Sequence, residues 1–205
     1  MDGVLIDSEP FIREAAVRMF AEKGLTVHPD DFLPFTGAGE NRFIGGVAEK
    51  YGVALDIERD KARTYQFYGE LVRGRLEALP GVHEFIAKAR SKGLKLAVAS
   101  AADRVKVDIN LDEIGLSEDD FDAVITGSDV TRKKPDPEIF LTAAAKMGVE
   151  PDECLVCEDA PNGIEAARAA GMRCLGITTT FSADELQADW HAPNLAHAPD
   201  EALAW

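Results

Sequence analysis

The sequence predicts an α/β protein built on a parallel β-sheet, with a purely helical stretch inserted near its start. Three observations carry this expectation. From residue 81 onward, short apolar runs alternate with stretches of helical spacing. The runs are apolar nearly throughout, as strands buried on both faces are, and strand–helix alternation implies a parallel sheet covered by helices on both sides. Between residues 10 and 76, helical spacing recurs with no convincing strand in between.

Each element follows from its own residues. Phe11, Ala15, Met19 and Phe20 form a helical stripe that Gly24 ends. Phe43, Val47 and Tyr51 suggest a second helix, and residues 62–76 a third. Val82, Phe85, Ile86 and Ala89 have helical spacing, with Gly93 as a stop signal. Residues 94–99 are apolar apart from Lys95, which suits a buried strand. Val105, Ile109 and residues 111–114 predict the next helix, ended by Gly115; residues 121–126 read as a second strand. Residues 137–147 predict a helix with Pro137 in its first turn and Gly148 after it. Residues 155–157 sit in a third strand, 164–170 in an alanine-rich helix stopped by Gly171, and 173–178 in a fourth strand. Ser182 to Glu185 is a capping box opening a late helix. No internal repeat or low-complexity segment stands out.

The bulk numbers narrow the function. A chain of 205 residues holds one large domain or two small ones, and 46% hydrophobic residues can build a core. With 22 Lys and Arg against 37 Asp and Glu, the net charge is −15. That balance argues against nucleic-acid and anionic-membrane partners. It does not argue against a phosphorylated substrate, because a local cation can invert the field at a site. No apolar run approaches the roughly 18 residues a membrane span needs, and no secretory signal is visible. Three cysteines are too few for a disulfide framework. Cys154 and Cys157 have CxxC spacing, but they lie in an apolar run where that spacing sends two strand side chains to opposite faces. The four histidines are scattered. We expect a reducing, cytoplasmic location and a monomer.

Four stretches then stand in a telling order: Met1-Asp2-Gly3-Val4-Leu5-Ile6-Asp7-Ser8-Glu9-Pro10, Ala97-Val98-Ala99-Ser100, Lys133-Lys134-Pro135-Asp136-Pro137, and Cys157-Glu158-Asp159-Ala160-Pro161-Asn162-Gly163. Together they resemble the motifs of the haloacid dehalogenase (HAD) superfamily, in the β-phosphoglucomutase and phosphoglycolate phosphatase-like subclass with a helical cap. The resemblance implies a Rossmann-like core over residues 1–9 and 77–205 and a cap over residues 10–76. It also implies magnesium-dependent hydrolysis of a small phosphorylated metabolite, a phosphomonoester, through an aspartyl-phosphate.

The resemblance assigns roles. The family's first motif carries two Asp residues, a nucleophile and then an acid/base two residues on. Asp2 matches the acid/base, with its main-chain carbonyl a magnesium ligand, so the nucleophile position falls before residue 1. The expectation is that this chain as written is inactive as a phosphatase and lacks a strand near the middle of its sheet. A truncated record or mis-called start is one origin; a real pseudoenzyme is another, with Asp7 the nearest substitute carboxylate. Ser100 ends a strand where ligands of open α/β sheets gather, and a helix N-cap is its structural alternative. Ala101 contributes backbone donors. Lys134, directly before Pro135, holds the phosphoryl group; Lys133 is a decoy. Glu158 and Asp159 repel each other unless a cation is present, and they bind Mg2+, with Asp159 the direct ligand. Glu9, Thr36, Gly37 and Arg42 are candidate substrate-binding residues, Thr36-Gly37-Ala38-Gly39 resembling the cap loop that faces the active site. Glu40 and Ile12 stand where the sugar-phosphate mutase branch has Arg and His, which argues against hexose phosphomutase activity. A dehalogenase needs neither Asp2 nor the carboxylate pair. The rival of another class is an inactive HAD-like binding or regulatory module, or one domain of a longer protein.

Overall fold

A computed structural model describes residues 1–35 and 39–204. Its first half is helical. Helix α1 (Glu9–Glu22) opens with Pro10 in its first turn and buries Ile12, Ala15, Ala16, Met19 and Phe20 along one face. A 3-10 segment, Pro29–Phe35, follows. It places Phe32 between Phe20 and Phe43, with ring centroids 6.1 and 4.8 Å away. Helix α2 (Glu40–Tyr51) ends on left-handed Gly52. Helix α3 (Ile57–Val72) begins five residues before the expected 62, because the Asp56 carboxylate caps it by accepting the Arg59 N–H at 3.2 Å. Helix α3 packs on α1.

The second half alternates as expected. In order come α4 (Val82–Ser91), β1 (Ala97–Ala99), α5 (Arg104–Glu113), β2 (Ala123–Ile125), α6 (Glu138–Met147), β3 (Leu155–Glu158), α7 (Pro161–Ala169), β4 (Arg173–Ile177), α8 (Ala183–Leu186) and β5 (Trp190–Ala192). The strand expected over 94–99 is shorter. Around Leu96 the Asp122 side chain takes the place of a ladder partner, accepting the Leu96 N–H at 2.8 Å. Strand β5 was not anticipated, since Trp-His-Ala is too short a run to mark a strand by its pattern. The helix over 104–113 also turns differently from its expected stripe. Val105 is 53% exposed, while Lys106, Val107, Asn110 and Leu111 are buried.

Among the described residues the ladders are parallel and fall in two groups: β1 with β2, and β3 with β4 with β5. Among the described residues no ladder joins β1 to β3. The two groups nevertheless share both apolar layers. Val98, Val124, Leu155, Cys157 and Leu175 pack into one cluster; Ala97, Ala99, Ile125, Val156 and Cys174 pack into the other. Successive strand residues alternate between clusters, as pleating requires. The groups therefore behave as one layer with a seam, and β1 and β3 each carry a backbone edge without a ladder partner along it.

The first cluster also holds Ile12, Phe20, Phe43 and Tyr68, so one continuous apolar body joins the helical segment to the sheet. The three cysteines are free. Cys154 packs on one cluster and Cys157 on the other, as their spacing implied. Burial pushes the Cys157 thiol up to about 12 and the Cys174 thiol to about 11. Among the described residues, no helix is long and apolar enough to cross a membrane.

Candidate active site

Parallel strands end together, and the loops beyond their carboxyl ends converge. Here Ser100 follows β1, and Glu158 ends β3 with Asp159 next. A cavity of about 720 Å³ opens at this end, within the usual range for small-molecule sites. Its floor includes Asp2, Ser100, Ala101, Lys134, Glu158 and Asp159; its other walls include Glu9 and Ile12 of α1, Glu40 and Phe43 of α2, and Lys106 of α5.

Asp2 is fixed by a tight turn at residues 1–6, in which Gly3 N–H donates to the Ile6 carbonyl at 2.8 Å. Gly3 has φ of 70°, and a Cβ there would overlap the Asp159 carboxyl. The Thr179 hydroxyl donates to the Gly3 carbonyl at 2.6 Å, tying the loop after β4 to this turn. The Ser8 hydroxyl donates to Asp2. Burial alone would push the Asp2 carboxyl up; the Lys106 ammonium and the Ser8 hydroxyl overcome it and bring it down to about 2.

Glu158 is 7% exposed and fully engaged. One oxygen accepts from Lys134 Nζ at 2.8 Å, the other from the N–H groups of Asp159 and Ala160 at 3.1 and 3.2 Å. Gly163 makes room for it, since a Cβ there would overlap the carboxyl. Burial raises Glu158, and Lys134 more than offsets this, leaving it lowered. Asp159 has no such ammonium. Burial and then the Glu158 charge push it up, against one hydrogen bond from the Thr180 hydroxyl at 2.6 Å. A buried carboxyl held up beside a carboxylate fits a hard cation. Among the described residues no group of three or more acidic, His or Cys side chains forms a cage. Magnesium commonly needs only one or two carboxylates, with waters and substrate phosphate completing its shell.

The remaining expected residues divide. Ser100 is buried, and its hydroxyl accepts the Ala102 N–H at 3.2 Å; the N-cap of α5 is Asp103, so Ser100 does not cap that helix. Glu9 faces the cavity with Oε2 buried and, among the described residues, without a hydrogen-bond partner. Arg42 stands apart from the cavity lining: its guanidinium pairs with Glu49 at 2.7 Å, lies over the Phe35 ring, and is half exposed. Thr36 and Gly37 lie outside the described residues. Lys133 turns away to the Gly127 carbonyl.

Sequence reasoning missed Lys106. It is 4% exposed, 3.1 Å from Asp2 and 3.7 Å from Glu40, with its ammonium 5.8 Å from the Tyr68 ring centroid. Burial lowers its pKa, but Asp2, Glu40, Tyr68 and Glu9 together raise it. The available signal was helical: Lys106 and Asn110 share a face with Val107 and Leu111, two polar residues on an apolar stripe.

Comparison with known proteins agrees with this geometry. Residues 1–171 match the model of the family described as hydrolase, haloacid dehalogenase-like hydrolase. Over 185 residues the chain is 46% identical to Protein SUPPRESSOR OF QUENCHING 1, chloroplastic, of Arabidopsis thaliana; the match covers 89% of this chain but 18% of that protein. It is 32% identical over 183 residues to the Phosphorylated carbohydrates phosphatase of Thermotoga maritima, covering 89% of this chain and 84% of that one. The crystal structure of CbbY from Rhodobacter sphaeroides in complex with phosphate superposes with a TM-score of 0.89 at 26% identity, over 100% of this chain and 96% of that one. A strand-end cavity with paired carboxylates and a buried lysine, and a family match over most of the sequence, lead to one conclusion: the chain belongs to the haloacid dehalogenase-like hydrolases.

Proposed function

We propose that this fold serves a magnesium-dependent phosphatase acting on small phosphorylated carbohydrates through an aspartyl-phosphate. The observation that supports this most is the floor of the cavity, where Asp2, Ser100, Lys134, Glu158 and Asp159 meet at the ends of β1 and β3. Lys134 brings positive charge to the transferring phosphoryl group, where such charge lowers the barrier most. The Ser100 hydroxyl can donate to a phosphoryl oxygen. Asp2 can move the proton to the leaving oxygen and later take one from water. Magnesium, held by Asp159, by Glu158 through water and by the Asp2 carbonyl, would neutralise the phosphoryl oxygens. The relatives' names support the substrate class. Three free thiols suit a reducing compartment such as the cytoplasm. Residues 1–9 and 77–205 would form the core and 10–76 a cap that closes over the bound phosphate.

Within residues 1–205 no carboxylate stands two positions before Asp2, where the nucleophile belongs. We propose that these residues alone do not turn over phosphomonoesters, and that an apolar strand ending in Asp, joined so that the Asp stands two residues before Asp2, provides the activity. That strand would pair with the open edges of β1 and β3. The test compares magnesium-dependent phosphate release by residues 1–205 and by the extended version. Equal rates would show that the nucleophile is misplaced, and no rate from either would favour a binding module.

A second expectation concerns the metal. In the extended version, Asp159→Asn should abolish turnover at ordinary magnesium concentrations, because the amide keeps the shape but loses the charge. Full activity in excess chelator would refute the assignment.

A further inference from the structure

We infer that Glu9, Glu40 and Lys106 select the leaving group of the substrate, admitting one that is uncharged and rich in hydroxyls and excluding one that carries a second phosphate or a carboxylate. This rests on the phosphatase reading and deepens it. A second anionic group would need a cation of its own. Among the described residues the cavity is lined by two cationic side chains, Lys106 and Lys134. Both are already matched: Lys134 with Glu158 at 2.8 Å, and Lys106 with Asp2 at 3.1 Å and Glu40 at 3.7 Å.

The same wall is suited to hydroxyls. Glu9 Oε2 is buried and, among the described residues, lacks a donor. A carboxylate only accepts, so it can take a hydrogen bond from a hydroxyl and none from a phosphate dianion or another carboxylate. Leaving it unmatched has a cost that a hydroxyl would remove. Glu9 and Glu40 are the first residues of α1 and α2, where the helix dipole favours negative charge. Phe35 and Phe43 line the cavity beside them and offer apolar surface to the C–H face of a sugar or polyol. Lys106, from α5, fixes Glu40 and so sets where the hydroxyl-reading carboxylates stand.

The test measures affinities by calorimetry on residues 1–205 with magnesium, for inorganic phosphate, sorbitol 6-phosphate, 2-phosphoglycolate and fructose 1,6-bisphosphate. The extended version, assayed by kcat/KM on the three esters, gives the order of preference independently. Sorbitol 6-phosphate should be preferred over each of the two anionic esters by about tenfold or more, the penalty of placing like charges together in a buried site. In Glu9→Gln the preference should shrink several-fold, chiefly through a gain for 2-phosphoglycolate. Because both ligands are compared in one variant, a general loss of folded protein cancels from the ratio. An anionic ester that matches or exceeds sorbitol 6-phosphate in the unmodified protein overturns the inference while leaving the phosphatase reading intact. Failure of both versions to bind phosphate at all overturns the phosphatase reading and the inference with it.

Discussion

Lys134→Ala in the extended version should lower kcat by about 10²- to 10³-fold, the usual loss when one preorganised electrostatic contact to the transition state is removed. Lys133→Ala should change it little. The two lysines are neighbours in sequence but not in role. Lys134 lines the cavity and lies 2.8 Å from Glu158, whereas Lys133 is turned to the Gly127 carbonyl and is absent from the lining. Lys134→Ala also leaves Glu158 buried without its ammonium, which costs about 3–5 kcal/mol of stability when a buried pair is broken on one side. Urea unfolding of both variants separates the effects, since rates can be compared where each is fully folded. Equal kinetic losses from Lys133→Ala and Lys134→Ala would mean that the lysine motif has been read one residue out of place.

Lys106→Met should be among the most destabilising single changes outside the apolar core, by about 3 kcal/mol or more. For a chain of this size that corresponds to a fall in Tm of roughly 6–12 °C. Methionine fills the space, so the loss is of charge: Asp2, Glu9 and Glu40 remain facing one another with no ammonium among them. The pH dependence has a definite sign. In the unmodified protein the Asp2 carboxyl is lowered to about 2. Its contribution is therefore complete above the ordinary value of 3.8 and is lost as pH falls toward 2. In the variant the Lys106 charge no longer offsets burial, so Asp2 should rise and acid should relieve the penalty. The stability gap between the two proteins should be widest at neutral pH and should close as the solution is acidified. Urea unfolding at pH 7 and pH 4 reads it. Identical stabilities at pH 7 would show that Lys106 is solvated rather than clamped.

The alternation of the second half was legible because buried parallel strands and glycine-stopped helices leave strong one-dimensional signals. Val82 to Ala89 and Glu138 to Met147 are helical as their spacing implied. Strand β5 was not legible, because Trp190–Ala192 adds to an existing edge and takes its conformation from β4 rather than from its own pattern. The site divided along the same line. Ser100, Lys134, Glu158 and Asp159 sit in contiguous motifs at strand ends, and the fold brings them to one cavity. Lys106 meets Asp2 across the fold, from α5, and no local sequence feature records that meeting. Arg42 was selected for its place near a glycine-rich loop, yet helix geometry carries its side chain along α2 toward Glu49, seven residues on.

The seam in the sheet has a consequence for amide hydrogen exchange. Among the described strands only β4 has ladder neighbours on both sides, in β3 and β5. Exchange slows where opening must disrupt several bonded strands at once, and is faster where one side already meets no partner. In residues 1–205 the slowest amides should therefore cluster at Cys174 to Ile177, off-centre in the layer, while alternate amides of β1 and β3 exchange early. Joining an upstream strand should reverse that ranking by slowing β1 and β3 together, since both would then close against the same segment. Exchange rates are thus a direct readout of whether the two halves of the layer are held as one cooperative unit or as two.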